Sequence, residues 1–178
     1  KKNRESVAAL DGIFSTTIGD DWNVKMRARR SSQDTFMRRY KFNSDTWLKS
    51  SAVAERIKSD KYYYVEVSDM QSLSSGTAAD HEPTILPHVF YEDVKPGFRS
   101  GQTLKTEISA IQLDNDEGHD MSRWVGNVEI TDRLSDGPVK TDARAGVIGS
   151  YYSIQKKPAA AATKTDDLGR ITPMASVS

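Results

Sequence analysis

Apolar and polar residues alternate most clearly between residues 104 and 154. Three runs there, 104–113, 124–131 and 143–154, place apolar side chains at every second position over part of their length, as a half-buried strand does. Turn-forming sequence separates them: Asp114-Asn115-Asp116-Glu117-Gly118, then Ser135-Asp136-Gly137-Pro138. Consecutive strands with short connections predict an antiparallel meander.

Upstream the spacing changes. In 45–59 the residues Trp47, Leu48, Val53, Ala54 and Ile57 suit a helix behind a cap at Asn43 or Ser44, packed on the sheet through Trp47, Val53 and Ile57. Phe36, Met37 and Tyr40 also fit helical spacing, whereas Trp22, Val24 and Met26 fit a strand equally well. A short helix candidate, 5–10, comes first, and Gly12 and Gly19 punctuate the polar stretch after it. Residues 61–67 read as a short strand and 69–83 as a loop. Residues 85–91 read as extended, with Pro87 keeping them off a central strand position.

The predicted organisation is one domain, 1–178: a partly irregular lead-in (1–21), a helical part (22–60), a mainly sheet part (61–157), and a connector with a final strand (158–178). The fold class is α+β, with helices first and meander last.

Composition narrows the function classes. Lys+Arg and Asp+Glu both number 25, and this neutral balance argues against a general nucleic-acid binder. No apolar run reaches the 18 residues of a membrane helix, and there is no signal-peptide core. The first residue is Lys, so an upstream anchor or targeting segment is expected to have been removed. The absence of Cys excludes disulfides and thiolate chemistry.

Candidate chemistry is sparse. His81, His88 and His119 lack metal-binding spacing. The acidic run at 114–117 lacks the full calcium-loop pattern and reads as a hairpin tip. The basic cluster Lys25, Arg27, Arg29, Arg30, Arg38, Arg39 and Lys41 is the strongest charge asymmetry, a solvated face or a candidate partner surface. Tyr62, Tyr63 and Tyr64 are strand packing or a second candidate partner surface. No phosphate loop, nucleophile elbow or zinc-protease motif occurs, so neither cofactor nor catalysis is expected.

Arg27-Ala28-Arg29, Tyr40 and residues 48–54 resemble the helical half of the periplasmic domain of the eighth VirB component, an inner-membrane assembly factor of type IV secretion and conjugation machines. Residues 104–109, 128–131 and 145–152 are similar to its strands. Its Asn-Pro-x-Gly-like motif is matched here only by Gly169, a candidate structural turn, within Asp166-Asp167-Leu168-Gly169. The resemblance implies a nuclear-transport-factor-like fold, N-terminal helices on a curved antiparallel sheet of about four strands. It also implies a non-catalytic assembly subunit in the periplasm, anchored in the inner membrane by a missing N-terminal helix. Its implied partners are itself and other secretion-channel subunits, with no direct nucleic-acid contact.

Two other readings compete. A dehydratase or isomerase on the same fold would use His88, Tyr91 and Asp93. A lipocalin-like periplasmic binding barrel would need strands between residues 34 and 59.

Overall fold

The computed structural model describes residues 8–19, 21–33, 45, 47–73, 84–115, 118–136, 139–157 and 164–177. They form nine strands: β1 (Ala9–Ile18), β2 (Trp22–Ser31), β3 (Trp47–Lys58), β4 (Lys61–Ser72), β5 (Thr84–Pro96), β6 (Gln102–Asp114), β7 (Gly118–Asp136), β8 (Val139–Lys157) and β9 (Lys164–Val177). All lie in one sheet whose spatial order is the chain order, and every neighbouring pair is antiparallel.

The α+β expectation is therefore wrong: among the described residues there is no helix. The meander of 104–154 is present as β6, β7 and β8, but it is part of a longer one, with five strands before it and one after. The part expected to be helical, 22–60, contains β2 and β3, and the lead-in contains β1. Residues 45–59 mislead because their apolar residues are spread over both faces of a strand. Ala52 and Ala54 point one way, Val53 and Ile57 the other, and this mixture imitates a helical stripe. Pro87 does not bar β5 from a central position, because the pairing with β6 is interrupted between Ile85 and His88. Such an irregularity spares the proline a ladder position it cannot fill. Phe36, Met37, Tyr40 and residues 5–7 lie outside the described residues.

The connections at one end of the sheet are two to five residues long, and those at the other are three to fifteen. Residues 19–21, 59–60, 97–101 and 137–138 join strands at the first end, whereas 32–46, 73–83, 115–117 and 158–163 join them at the other end. Gly19 and Gly101 adopt positive φ (62° and 88°), conformations that cost other residues a Cβ clash. The β2–β3 pairing runs only from Trp22/Arg56 to Arg27/Ser51, although both strands continue beyond it.

A single layer has little interior. Among the described residues only Leu48 and Leu73 are fully buried apolar side chains, at 0% and 1% exposure, and both lie at the end where β2 and β3 part.

Candidate functional site

The register divides the strands into two faces, because cross-strand partners share a face and successive residues alternate. One face carries Phe14, Val24, Met26, Ala52, Ala54, Val65, Val67, Val89, Ile108, Ala110, Trp124, Val128, Val147, Tyr151 and Ile171. The other carries Asp11, Arg27, Arg29, Lys49, Glu66, Glu92, Lys105, Glu107, Asn127, Arg133 and Asp142.

Burial runs opposite to that of a water-soluble sheet. On β7, Trp124, Gly126 and Val128 are exposed, while Asn127 and Glu129 on the polar face are half-buried. Ile108, Val147 and Ile171 are likewise exposed on the apolar face. Exposed apolar residues also occur on the polar face, among them Ile13, Ile57 and Leu168. They are scattered, and scattered apolar residues are ordinary on any surface.

The polar face is tied together by ion pairs between strands. Arg29 reaches Asp11 at 3.4 Å and Asp45 at 3.0 Å, and Arg27 lies 3.8 Å from Asp11. Lys49 pairs with Glu66 at 2.5 Å, and the Tyr64 hydroxyl donates to the same carboxylate at 2.6 Å. Glu92 and Glu107 stand directly opposite each other across β5 and β6. Lys105 lies between them at 3.1 and 2.9 Å, and the Asn127 side-chain amide donates to Glu107 at 2.7 Å. Without the lysine these two carboxylates would repel.

The candidate partner residues therefore have places of their own. Arg27 and Arg29 are on the polar face, whereas Arg30 is on the apolar face and pairs with Asp69. Arg38, Arg39 and Lys41 lie outside the described residues. The tyrosine run is split by alternation. Tyr62 and Tyr64 share the polar face with Phe90 and His88, ring centroids 6.0 and 5.4 Å apart respectively, while Tyr63 is on the apolar face. Gly169 lies inside β9 opposite Tyr151 rather than in a turn. His88 is on the polar face of β5 and Tyr91 and Asp93 on the apolar face, so the enzyme reading's three residues do not converge. His119 is exposed on β7, and His81 lies outside the described residues.

Sequence reasoning passes over the row Trp22, Arg56, Tyr63 and Tyr91, in which each residue is the cross-strand partner of the next on the apolar face. The Trp22 and Tyr63 ring centroids are 6.2 Å apart and those of Tyr63 and Tyr91 5.1 Å. The Arg56 guanidinium lies 5.8 Å from the Trp22 ring centre and donates to Asp21 at 3.1 and 2.7 Å. These hydrogen bonds hold the Asp21 carboxyl below the usual carboxylate range. The available signal is aromatic residues at the turn-proximal ends of β-rich segments.

A family model described as LptD, LPS transport system D, matches residues 14–178. No curated protein matches the chain. The match overturns the resemblance to the eighth VirB component, whose helical segments are here the strands β2 and β3. Type IV secretion and conjugation, the secretion-channel partners and the inner-membrane location fall with it, since the family is one of LPS transport at the outer membrane. The enzyme and lipocalin-like alternatives find no support either, although 47–58 is indeed a strand.

Proposed function

The chain belongs to the LptD family, LPS transport system D, and on that footing we propose that its sheet is part of the wall of an outer-membrane β-barrel that conveys LPS. The apolar face meets the hydrocarbon of the membrane, and the charged face lines the interior, where the sugars and phosphates of LPS can be solvated. One observation carries this reading: between Trp124 and Glu129 on β7, Trp124, Gly126 and Val128 on the apolar face are exposed, whereas Val125, Asn127 and Glu129 on the other face are half-buried. In lipid such a pattern is stable, because every strand pairs with its neighbours and the outward residues need no covering layer. The uncrossed strand order also suits a barrel wall, since an up-and-down barrel adds strands in sequence. A two-layered sandwich would instead need a second sheet over the apolar face. No helix of the described residues is long and apolar enough to cross a membrane, and strands cross by a different rule. The role is structural and conductive rather than catalytic.

Arginine substitutions test the assignment of faces. Val65→Arg and Ile108→Arg, on the apolar face, should each cost about 2–4 kcal/mol in the membrane-embedded protein, as a charge near the bilayer midplane does. Ser109→Arg, one residue away on the polar face, should be tolerated. The measurement is the amount of folded, heat-modifiable protein recovered in the outer membrane. Equal tolerance on both faces would remove the basis of the proposal.

A further inference from the structure

On β2 to β5 the apolar face changes character over one row of residues near the end joined by 19–21, 59–60 and 97–101. Going from Trp22, Arg56, Tyr63 and Tyr91 away from the turns, the next positions are Val24, Ala54, Val65 and Val89. Going toward the turns, the positions on β3, β4 and β5 are Lys58, Lys61 and Asp93, with Lys95 beyond, and Lys95 pairs with Asp93 at 2.6 Å. The aromatic row is thus a boundary between an apolar band and a charged fringe.

An aromatic ring with a polar tip is best placed where one side is apolar and the other wet. Tyr63 and Tyr91 have that form through their hydroxyls, and Trp22 through its indole N–H. Arg56 can lay its aliphatic stem on the apolar band while its guanidinium holds Asp21 in the β1–β2 turn. At the far side of the band Arg30 and Asp69 form an ion pair on the same face. Trp22 and Arg30 bound the band on β2, roughly 27 Å apart at about 3.4 Å per residue. Strand tilt shortens this to about 20 Å along the membrane normal, close to the ~25 Å apolar band of outer-membrane barrels.

Sidedness comes from the connections. The Trp22–Tyr91 row lies near the end where the connections 19–21, 59–60, 97–101 and 137–138 have two to five residues; at the other end the strands are joined through 32–46, 73–83 and 158–163, with 115–117 the one short connection. In outer-membrane barrels the short turns are periplasmic and the long loops extracellular. We infer that Trp22, Arg56, Tyr63 and Tyr91 form an interfacial girdle that seats this part of the wall in the headgroup zone of the periplasmic leaflet. This rests on the barrel-wall reading, and the experiment separates the two.

The chain has no cysteine, so single thiols can be placed on the intact protein, provided any cysteines elsewhere in it are first replaced. Tyr63→Cys and Val67→Cys are labelled with a fluorophore, and the protein is folded into phosphatidylcholine vesicles carrying a nitroxide at the headgroup or at mid-chain. Quenching at position 63 should be strongest from the headgroup nitroxide, and at position 67 from the mid-chain one. Lys61→Cys provides the same reading as Tyr63→Cys if the latter does not assemble. Mid-chain quenching that dominates at both positions 61 and 63 would overturn the girdle and leave the wall intact. No quenching at 67 from either lipid would overturn the wall itself. For sidedness, Ser59→Cys in intact cells should resist a membrane-impermeant thiol reagent and react once the outer membrane is permeabilised. Full reaction in intact cells would reverse the assigned leaflet.

Discussion

Ser31 and Gln71 exchange two hydrogen bonds although a third strand, β3, lies between theirs in the sheet order. The Ser31 N–H donates to Gln71 Oε1 at 2.9 Å, and Gln71 Nε2 donates to the Ser31 carbonyl at 2.7 Å. The β2–β3 ladder has already ended at Arg27 and Ser51, and a side-chain amide stands in for the missing backbone partner. Ser50 does the same for Arg29, its Oγ accepting from the Arg29 N–H at 3.0 Å and donating to the Arg29 carbonyl at 2.9 Å. Backbone groups in a closed setting must find partners, and here side chains from β3 and β4 supply them.

Gln71→Ala should therefore leave the N–H and C=O of the buried Ser31 unpaired. The expected loss is about 2–3 kcal/mol, read from denaturant unfolding. Amide exchange at Ser31 should accelerate, while exchange in β7 and β8 stays as it was. Unchanged exchange at Ser31 would mean that water takes over from the amide.

Leu48 is fully buried at 0% exposure and its neighbour Trp47 is 42% exposed. Helical spacing would put Trp47 in the core instead. Leu48→Ala should cost about 2–5 kcal/mol as a cavity-forming change, and Trp47→Ala much less. A larger shift of the unfolding midpoint for Trp47→Ala would show that Trp47 is the side chain packed in the core.

The Asp21–Arg56 pair makes a pH prediction. The folded-state pKa of Asp21 is depressed, so its contribution is fully present above the unfolded value of about 3.9 and is lost as pH falls through the lower folded value. The β1–β2 turn should therefore loosen only in strong acid. Asp21→Asn should remove that part of the acid dependence while leaving the neutral-pH fold in place. Fluorescence of Trp22, beside Arg56, followed from about pH 5 down to pH 2 in a background with Trp47 and Trp124 replaced by Phe, reports the transition. An identical acid profile in the two proteins would show that Asp21 contributes nothing to it.

Strands β6, β7 and β8 are readable in the sequence because Ile108, Val128 and Val147 recur among polar neighbours with turn residues between the runs. Strands β2 and β3 are not. Their apolar face is built from Val24, Met26, Ala52 and Ala54, and their other face from Arg27, Arg29, Lys49 and Glu55. Alanine, arginine, lysine and glutamate are good helix formers, so local propensity points away from the observed state. In a sheet whose apolar side faces lipid, small residues suffice on the outside and charges are stable inside. The alternation is then weaker per strand than in a soluble core. The two-faced site is hidden for a further reason. Residues that act together, such as Glu92, Lys105, Glu107 and Asn127, come from three strands, and only the register joins them. The tyrosine run looks like one surface and is divided by a period of two.

If the sheet is the barrel wall proposed above, its uncrossed strand order sets how that wall can change size. Each strand's backbone ladder runs only to its sequence neighbours, so as far as the ladder is concerned a hairpin is a removable module, at the cost of side-chain bonds such as Ser31–Gln71. Excising β3 and β4 together would bring β5 beside β2 with its direction unchanged, and every connection downstream would remain on its own side of the membrane. Excising one strand would reverse every later strand and send the short turns to the outside. A lineage of such proteins can therefore widen or narrow its pore by duplicating or losing hairpins, and strand number should drift in steps of two.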